Sequence, residues 1–225
     1  MKDLTLVIPA KNEEYSLPKV LEEIKKINCE KFVILSKSDV ATIRSIKNYN
    51  CKIIIQKYDG YGNAIIEGIN SVITNYLCIF NADGSFHPKY LKKMLNKSKL
   101  NKSFIFASRY MADGGSNDDT FLTLIGNKIF TLLGKILFRL KISDILFTYI
   151  LGETHKFKKL KLNNPDFRIC IEIPVKIKLN NFKYQSIASF ERKRLGGKKK
   201  VNEFIDGFLI LLSLIQNYFT KYGKK

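Results

Sequence analysis

Short apolar runs alternate with helical segments through the first half of this 225-residue chain. Runs such as Leu4–Pro9 and Phe104–Ser108 are continuously apolar, as is typical of strands covered on both faces. Strands that alternate with helices build βαβ units around a mostly parallel sheet. The sequence therefore predicts an α/β fold with helices flanking that sheet. The predicted strands are Leu4–Pro9, Phe32–Ser36, Cys51–Ile55, Tyr76–Asn81 and Phe104–Ser108, and the predicted helices are Ser16–Ile27, Asp39–Asn48, Asn63–Thr74 and Pro88–Asn96.

The second half contains longer apolar segments. Phe121–Leu140 is predicted as a helix, and Tyr184–Phe190 as a late strand. Phe167–Leu179 is compatible with a strand or a helix, and Pro174 weakens both interpretations. The helix Phe121–Leu140 carries a polar stripe whose members are four residues apart, namely Asn127, Thr131, Lys135 and Arg139.

The charge is strongly positive, with 39 Lys+Arg against 20 Asp+Glu. Such an excess favours a polyanionic partner, either anionic lipid headgroups or nucleic acid. A genome that encodes many lysines would give the same balance. No nucleic-acid-binding motif is present and the aromatic residues are not interleaved with the basic run, so a nucleic-acid partner is not expected.

The cysteines and the N-terminus bear on the compartment. The four cysteines are far apart, without a C-x-x-C pair, and the chain has only two histidines, which disfavours a zinc site and predicts free thiols. The strand begins directly after Met1–Asp3, which leaves no room for a signal peptide. We therefore expect a cytoplasmic protein. Its oligomeric state stays open.

The apolar segment Phe204–Phe219 bears on the membrane question. At about 1.5 Å per residue it is about 24 Å long, short of the roughly 30 Å hydrocarbon core, and it contains Asp206. We predict a helix that lies on the inner face of the cytoplasmic membrane, anchored by Lys198–Lys200 and the terminal Lys224 and Lys225. A core helix or a dimer contact is the alternative. This divides the chain into a domain at 1–200 and a C-terminal helical segment at 201–225.

Candidate binding residues follow the predicted strands, where open parallel sheets bind their ligands. Glu13 and Glu14 follow the first strand and offer acceptors to ribose hydroxyls or a base edge. Gly60 and Gly62 follow the third and allow a ligand to approach the backbone closely. Asp83 follows the fourth and offers hard oxygens to Mg²⁺ or Mn²⁺ that bridges a diphosphate. Each signal alone is weak, because glycine and Asp-Gly pairs usually mark turns.

Basic residues lie where an anion would be held. Arg109 follows the fifth strand, and Arg192, Arg194 and Lys200 belong to the run Glu191–Lys200. A solvated surface loop is the alternative interpretation of that run.

Six motifs, taken in their order along the chain, resemble those of family-2 glycosyltransferases, and within them the polyprenyl-phosphate, dolichol-phosphate-mannosyltransferase-like branch. They cover nearly the whole chain and are LTLVIPAKNEEYSL at the start, GYGNAIIEGI from Gly60, NADGSFHPKYL from Asn81, SRY from Ser108, the Ser143-Asp144 pair, and ERKRLGGKKKVNEFIDG from Glu191. The resemblance implies a GT-A fold, a nucleotide-sugar donor, Mg²⁺ or Mn²⁺, and inversion at the anomeric carbon. It implies a donor site formed by Pro9, Ala10, Asn12, Glu13, Asp39, Gly60, Gly62, Asn81 and Ala82. It assigns the metal to Asp83, and the phosphates to Arg109, Arg194 and Lys200. We add Asn127, on the helix Phe121–Leu140, as a candidate residue of the acceptor site.

The sequence departs from the family pattern at the donor and acceptor sites. The second strand ends in Ser36 where a base-binding carboxylate is usual, which leaves the donor base open. Asn81 replaces the first acid of the D-x-D loop, so a lower metal affinity is expected. Thr123 and Asn127 stand where the lipid-phosphate enzymes carry an arginine and a serine. The acceptor phosphate site is therefore rebuilt, or the acceptor is different.

The acceptor decides which catalytic groups are needed. A polyprenyl phosphate is already an anion and needs no general base, and Arg109 would position it. A glycan hydroxyl needs a carboxylate base, for which Asp144 is the first choice, with Asp118 or Asp119 behind it. A helix cap is the plain alternative for Asp144. A non-catalytic, basic nucleotide-binding protein is the alternative from another class.

Overall fold

The computed structural model describes residues 1–196 and 200–222. Its strands are β1 (Leu4–Pro9), β2 (Glu30–Leu35), β3 (Lys52–Ile55), β4 (Tyr76–Ile79), β5 (Phe104–Ser108), β6 (Gly115–Ser116), β7 (Ile150–Glu153), β8 (Tyr184–Ala188) and β9 (Phe190–Glu191). Its helices are α1 (Leu17–Glu23), α2 (Val40–Ser45), α3 (Tyr61–Ser71), α4 (Tyr90–Asn101), α5 (Phe121–Phe138), α6 (Thr154–Lys159), α7 (Ile169–Leu179) and α8 (Ile205–Tyr222).

A seven-stranded sheet with the order β3-β2-β1-β4-β7-β5-β8 forms the centre of the molecule. The strands β3, β2, β1 and β4 pair in parallel, as do β5 and β8, whereas β7 runs antiparallel to both of its neighbours. The carboxyl ends of the parallel strands therefore meet along one edge. The predicted α/β fold with a mostly parallel sheet and flanking helices is confirmed.

The two faces of the sheet bury separate apolar clusters, which explains why its strands are continuously apolar. Val7 and Ile34 pack on one face with residues of α3 and α7. Leu6 and Ile8 pack on the other face with residues of α1 and α4. Gly68 lets α3 lie close to β1, because a Cβ at this glycine would be 2.4 Å from Cγ1 of Val7.

Comparison with the predicted elements shows where the local pattern was insufficient. The bounds of β1 and β5 are confirmed, and the ambiguous segment Phe167–Leu179 forms α7 with Pro174 inside it. The predicted strand Tyr184–Phe190 divides at Ser189 into β8 and β9, and β9 pairs with β6. Strand β7 was not predicted, because the four residues ILGE carry no alternation and become a strand only by pairing with β4 and β5.

Helix α5 buries polar side chains and exposes large apolar ones, the reverse of an ordinary surface helix. Asn127 and Thr131 from the polar stripe are buried, whereas Lys135 and Arg139 are exposed. Large apolar side chains point outward, with Leu132 57% and Ile136 65% exposed. By length and composition α5 is also the one helix, among the residues that the structure describes, that could cross a membrane.

Helix α8 corresponds to the predicted C-terminal helix and packs against the rest of the molecule. Ile210 and Leu214 are buried in the same apolar cluster as α7. Phe208 and Phe219 are exposed. Of the predicted lysine anchors, Lys198, Lys199, Lys224 and Lys225 lie outside the described residues. The division of the chain at residue 200 stays a prediction.

Candidate active site

A cavity of about 940 Å³ opens at the carboxyl ends of the parallel strands. Its walls come from the segments that follow β1, β4 and β5 and from residues of α5 and α8. Most of the predicted site residues line it. They are Pro9, Ala10, Asn12, Glu13, Gly60, Asn81, Ala82, Asp83, Arg109, Asn127, Arg194 and Lys200.

Asp83 lies on a tight turn after β4. Its Oδ1 accepts a hydrogen bond of 2.9 Å from the backbone N–H of Ser85, and its Oδ2 lies 3.9 Å from Nη1 of Arg194. Gly84 completes the turn with a φ of 82°, a conformation that favours glycine. The side-chain amide of Asn81 donates to Oγ of Ser85 at 3.1 Å, which leaves its oxygen as an acceptor.

The residues around Asp83 fit a cation that is bound mainly by its substrate. No group of three or more His, Cys, Asp or Glu side chains is disposed to hold a metal ion in the part of the chain that the structure describes. Mg²⁺ nevertheless commonly binds through one or two carboxylates, water and substrate phosphates. Asp83 with the Asn81 oxygen meets that requirement.

Glu13 and Lys200 are paired across the cavity. The ammonium of Lys200 and the hydroxyl of Ser16 each donate to one carboxylate oxygen of Glu13. The Glu13 backbone N–H donates to Oγ1 of Thr42 at 2.9 Å, which fixes the loop after β1 to α2. The structure thus brings together a residue predicted for the nucleoside and one predicted for a phosphate.

Two predicted donor-site residues do not line the cavity. Asp39 caps α2: its Oδ1 accepts from Thr42 N–H at 3.3 Å, and its Oδ2 accepts from Asn12 N–H at 2.7 Å. A Cβ at Gly62 would lie 2.1 Å from the carbonyl oxygen of Asn164, so this glycine admits a neighbouring chain segment instead of a ligand. This geometry disfavours the direct ligand contacts predicted for Asp39 and Gly62. Asp39 acts on the site through the backbone of Asn12.

Arg109 is held by three carboxylates. Its Nε and Nη2 donate to the two oxygens of Asp144 at 2.8 and 3.0 Å. Its Nη1 donates to Asp119 at 2.9 Å and to Glu191 at 3.0 Å. Burial disfavours the charged guanidinium, but Asp144, Glu191 and Asp119 outweigh it and raise the pKa of Arg109 well above its usual value. Burial also raises the pKa of the Glu191 carboxyl.

Asp144 is enclosed by these donors, which disfavours the predicted function of its carboxylate as a general base. Its side chain has no exposed surface and is not part of the cavity lining. Besides Arg109, the Asn127 amide donates to it, and the Arg109 backbone N–H donates at 3.1 Å. A carboxylate saturated in this way holds other groups in place. Asp118 and Asp119, the second choices, do line the cavity.

Arg194 reaches over the β4 turn from the segment after β9. Its Nη2 donates to Oδ2 of Asp118 at 2.5 Å. The Leu195 backbone N–H donates to the Asp83 carbonyl at 2.7 Å, and the Leu195 side chain lies over Gly84. These contacts place a guanidinium beside the only predicted metal-ligand carboxylate.

Sequence reasoning missed several cavity residues. Gln56 follows β3 and lines the cavity near Ser36 and Pro9. The strand-end rule that selected Asp83 would have selected Gln56 as well. Glu191 stands in the sequence only as the start of a basic run, and no local signal connects it with Arg109, 82 residues away in the chain.

Known proteins resemble the chain in sequence. The sequence profile described as Glycosyl transferase family 2 matches residues 5–161. Uncharacterized glycosyltransferases of Mycobacterium bovis and Mycobacterium tuberculosis are each 29% identical over 92 residues, which is 41% of this chain and 42% of theirs. The alignment therefore spans less than half of these relatives.

Solved structures share the fold. Glucosyl-3-phosphoglycerate synthase of M. tuberculosis, solved with Mn²⁺, UDP and glucosyl-3-phosphoglycerate, matches 95% of this chain and 79% of its own at 12% identity, with a TM-score of 0.73. Mannosyl-3-phosphoglycerate synthase of Rubrobacter xylanophilus matches 99% of this chain and 75% of its own at 12% identity, with a TM-score of 0.71. These similarities show the GT-A fold alone. Because the family profile covers more than half of the sequence, the chain belongs to glycosyl transferase family 2.

Proposed function

We propose that the protein transfers a sugar, with inversion, from a UDP- or GDP-sugar to a membrane-held acceptor, most simply a polyprenyl phosphate. One observation carries this proposal: the cavity that holds the predicted donor residues is also lined by apolar side chains of two helices whose outer faces are exposed. The contributing side chains are Leu122 and Ile129 of α5, Phe204 directly before α8, and Phe208 of α8. A polar donor and an apolar acceptor can therefore meet in one space.

The donor is assigned to the polar end of the cavity. Backbone and side chains at Pro9–Glu13 would hold the nucleoside, with Ser36 and Gln56 offering oxygens to the base. Asp83, helped by Asn81, would hold Mg²⁺ or Mn²⁺, whose chemistry is to neutralise the leaving diphosphate. The Mn²⁺ and UDP bound by the M. tuberculosis synthase support this assignment.

The acceptor phosphate is assigned to Arg194 and Lys200. Arg109 already makes charge-assisted hydrogen bonds to Asp144, Asp119 and Glu191. Arg194 and Lys200 are also paired, with Asp118 and Glu13, but their side chains are 23% and 34% exposed, against 10% for Arg109. We therefore assign to Arg109 the function of holding the cavity wall in place. An anionic acceptor attacks the sugar without a general base, in keeping with the enclosure of Asp144.

The membrane is assigned to the exposed faces of α5 and α8. Burying a large aliphatic side chain contributes about 1.5–3 kcal/mol, so exposed residues such as Ile129, Leu132 and Ile136 gain by entering a lipid interface. Lys128 and Lys135 are exposed on α5 and suit anionic headgroups. We propose that the protein lies on the cytoplasmic face of the membrane with α5 parallel to its plane.

Transfer is tested with purified protein, Mg²⁺ or Mn²⁺, a panel of UDP- and GDP-sugars, and undecaprenyl phosphate. Release of nucleoside diphosphate is the readout. Asp83→Ala should abolish it, whereas Asp3→Ala, at the opposite end of β1, should not. Release that requires both lipid and Asp83 supports the proposal. Release with a soluble glycan or with 3-phosphoglycerate, and none with the lipid, rejects the lipid acceptor.

Membrane attachment is tested separately by flotation with anionic liposomes. Leu132→Glu/Ile136→Glu should sharply reduce flotation at low salt. The matched variant Ile73→Glu/Leu100→Glu changes residues that are 91% and 82% exposed away from α5 and α8 and should float like the wild type. Equal flotation of the two variants would remove the membrane assignment while leaving the donor site untouched.

A glycan hydroxyl acceptor remains the second candidate. Thr123 and Asn127 line the cavity where the lipid-phosphate enzymes carry different residues, and Asp118 also lines it. Loss of transfer to a glycan in Asp118→Asn, with donor binding retained, would favour this candidate.

A further inference from the structure

A second cavity, of about 610 Å³, lies at the opposite edge of the sheet from the active site. It is lined by residues before β1, before and at the start of β2, and at the start of β3. These strands are parallel, so their amino ends share one edge and the active-site cavity lies at the other. The second cavity is therefore a separate site.

The lining of this cavity is dominated by ammonium groups. Five lysines contribute to it, namely Lys2, Lys25, Lys26, Lys31 and Lys52. Among the described residues that line it, Glu30 alone carries a negative charge. Lys25 pairs with Glu22, but both side chains are more than half exposed, and such exposed ion pairs contribute little free energy. The cavity thus has a positive field with too few acids to balance it.

Lys31 gives the cavity a fixed cation. It is 7% exposed, and its Nζ donates to the carbonyls of Ile27 and Cys29 at 3.1 Å each. An ammonium has three donors, so two are used to hold its position. The other lysines of the cavity are exposed and can turn towards a ligand.

We propose that this cavity binds a phosphorylated small molecule with two or more negative charges. Lysine binds phosphate as a compact point charge, and several lysines around one space suit an anion with charge on more than one phosphate oxygen. The cavity volume is within the range of about 300–1,000 Å³ for small-molecule sites. Nucleotides and sugar phosphates have the required size and charge. The proposal does not depend on the transferase proposal.

Two thiols report on occupancy. Cys29 and Cys51 line this cavity and are partly exposed, whereas Cys78 and Cys170 are buried elsewhere and serve as internal controls. Burial raises the pKa of Cys29 and of Cys51, and Lys31 opposes this for both. An anion bound beside these thiols should shield them and further disfavour the reactive thiolate.

The experiment measures the rate of modification of each cysteine by a small disulfide reagent, with pyrophosphate as the probe. Only the unbound protein reacts at these two thiols. At a pyrophosphate concentration of about nine times its Kd, the modification rates of Cys29 and Cys51 should therefore fall about tenfold. Cys78 and Cys170 should not change. Sulfate at the same ionic strength is the control for general screening. A separate arm with UDP uses the Asp83→Ala protein without divalent metal, which weakens binding of the diphosphate in the active-site cavity.

Variants locate the effect. Lys26→Gln/Lys52→Gln should lose the protection, whereas Lys92→Gln/Lys93→Gln, which removes the same charge from the exposed side of α4, should keep it. All of these lysines are exposed, so both proteins should fold, which the unfolding midpoint checks. Equal protection by sulfate, or protection that survives in the first variant, overturns the proposal. Phosphorus NMR, recorded without divalent metal, should show pyrophosphate binding to the wild type that the Lys26→Gln/Lys52→Gln protein lacks, and equal binding to the two proteins, or none to the wild type, overturns the proposal as well.

Discussion

Replacing Asp144 with asparagine should unfold the protein more easily while leaving any catalytic chemistry intact. The Asp144 carboxylate accepts from the Arg109 backbone, from Nε and Nη2 of Arg109, and from Asn127. An asparagine would present an NH₂ group to donors on one side. Removing one partner of a buried ion pair costs about 3–5 kcal/mol. Because Asp119 and Glu191 still hold Arg109, we expect a loss near the lower limit, about 3 kcal/mol.

Urea unfolding of wild type and Asp144→Asn at neutral pH measures this loss as a change in midpoint at constant m-value. In a thermal scan it corresponds to a fall in Tm of about 6–12 °C, from about 2–4 °C per kcal/mol for a chain of this size. Asp119→Asn is the matched control, expected to cost about 1–2 kcal/mol because the hydrogen bonds that Asp119 accepts from Arg109 and from the Tyr110 hydroxyl are weakened.

Transfer activity separates positioning from base catalysis. If Asp144 only positions Arg109, the folded fraction of Asp144→Asn should keep its rate within about tenfold, whereas loss of a general base lowers the rate by about 10²–10⁴. A variant as stable as the wild type, with transfer lost, would refute our reading of the structure and restore Asp144 as the base.

Three further predictions follow from individual contacts. Asn81→Asp adds a charge beside Asp83 and should lower the metal concentration that gives half-maximal donor binding, measured by titration with Mn²⁺. Burial raises the folded-state pKa of Glu191, so its contribution to stability is complete below about pH 4.3 and is lost as pH rises; Glu191→Gln should therefore gain in stability relative to wild type between about pH 4 and pH 7, in urea titrations. Gly62→Ala meets a carbonyl oxygen at 2.1 Å and should lose about 1–3 kcal/mol, whereas Gly126→Ala meets nothing within 4 Å inside α5 and should gain up to about 1 kcal/mol.

The local sequence pattern predicted the strands whose own residues are apolar enough to mark them as buried on both faces. Strands β1 and β5 are continuously apolar and buried on both faces, so their bounds could be read directly. Strand β7 could not be predicted, because its pairing partners are about 45 and 75 residues away and nothing within four residues signals them. Predicted helices were longer than α1 and α2, since propensity alone does not mark where tertiary contacts end a helix.

In the candidate site, too, some features could be predicted from the local sequence and others depend on the tertiary fold. The strand-end rule placed Pro9, Asn81, Asp83 and Arg109 in one cavity, because parallel strands necessarily bring their carboxyl ends together. It could not tell which charges would face a ligand. Arg109 is predicted as a phosphate ligand from its position, yet its guanidinium is shared among carboxylates that lie 10, 35 and 82 residues away in the chain. Such pairings depend on the tertiary fold and have no local signature.

The polar stripe of α5 connects these observations. The sequence shows a helix with an apolar side and polar residues four apart, and an ordinary surface helix would turn the apolar side inward. Here Asn127 donates to Asp144 and Thr131 accepts from the Ile145 backbone, so the polar edge is committed to the protein. The apolar side is left outward next to the active-site cavity. A helix fixed in this way cannot cross a bilayer without breaking these bonds, whereas it can lie on one, and that geometry would bring a lipid-borne acceptor to the mouth of the cavity.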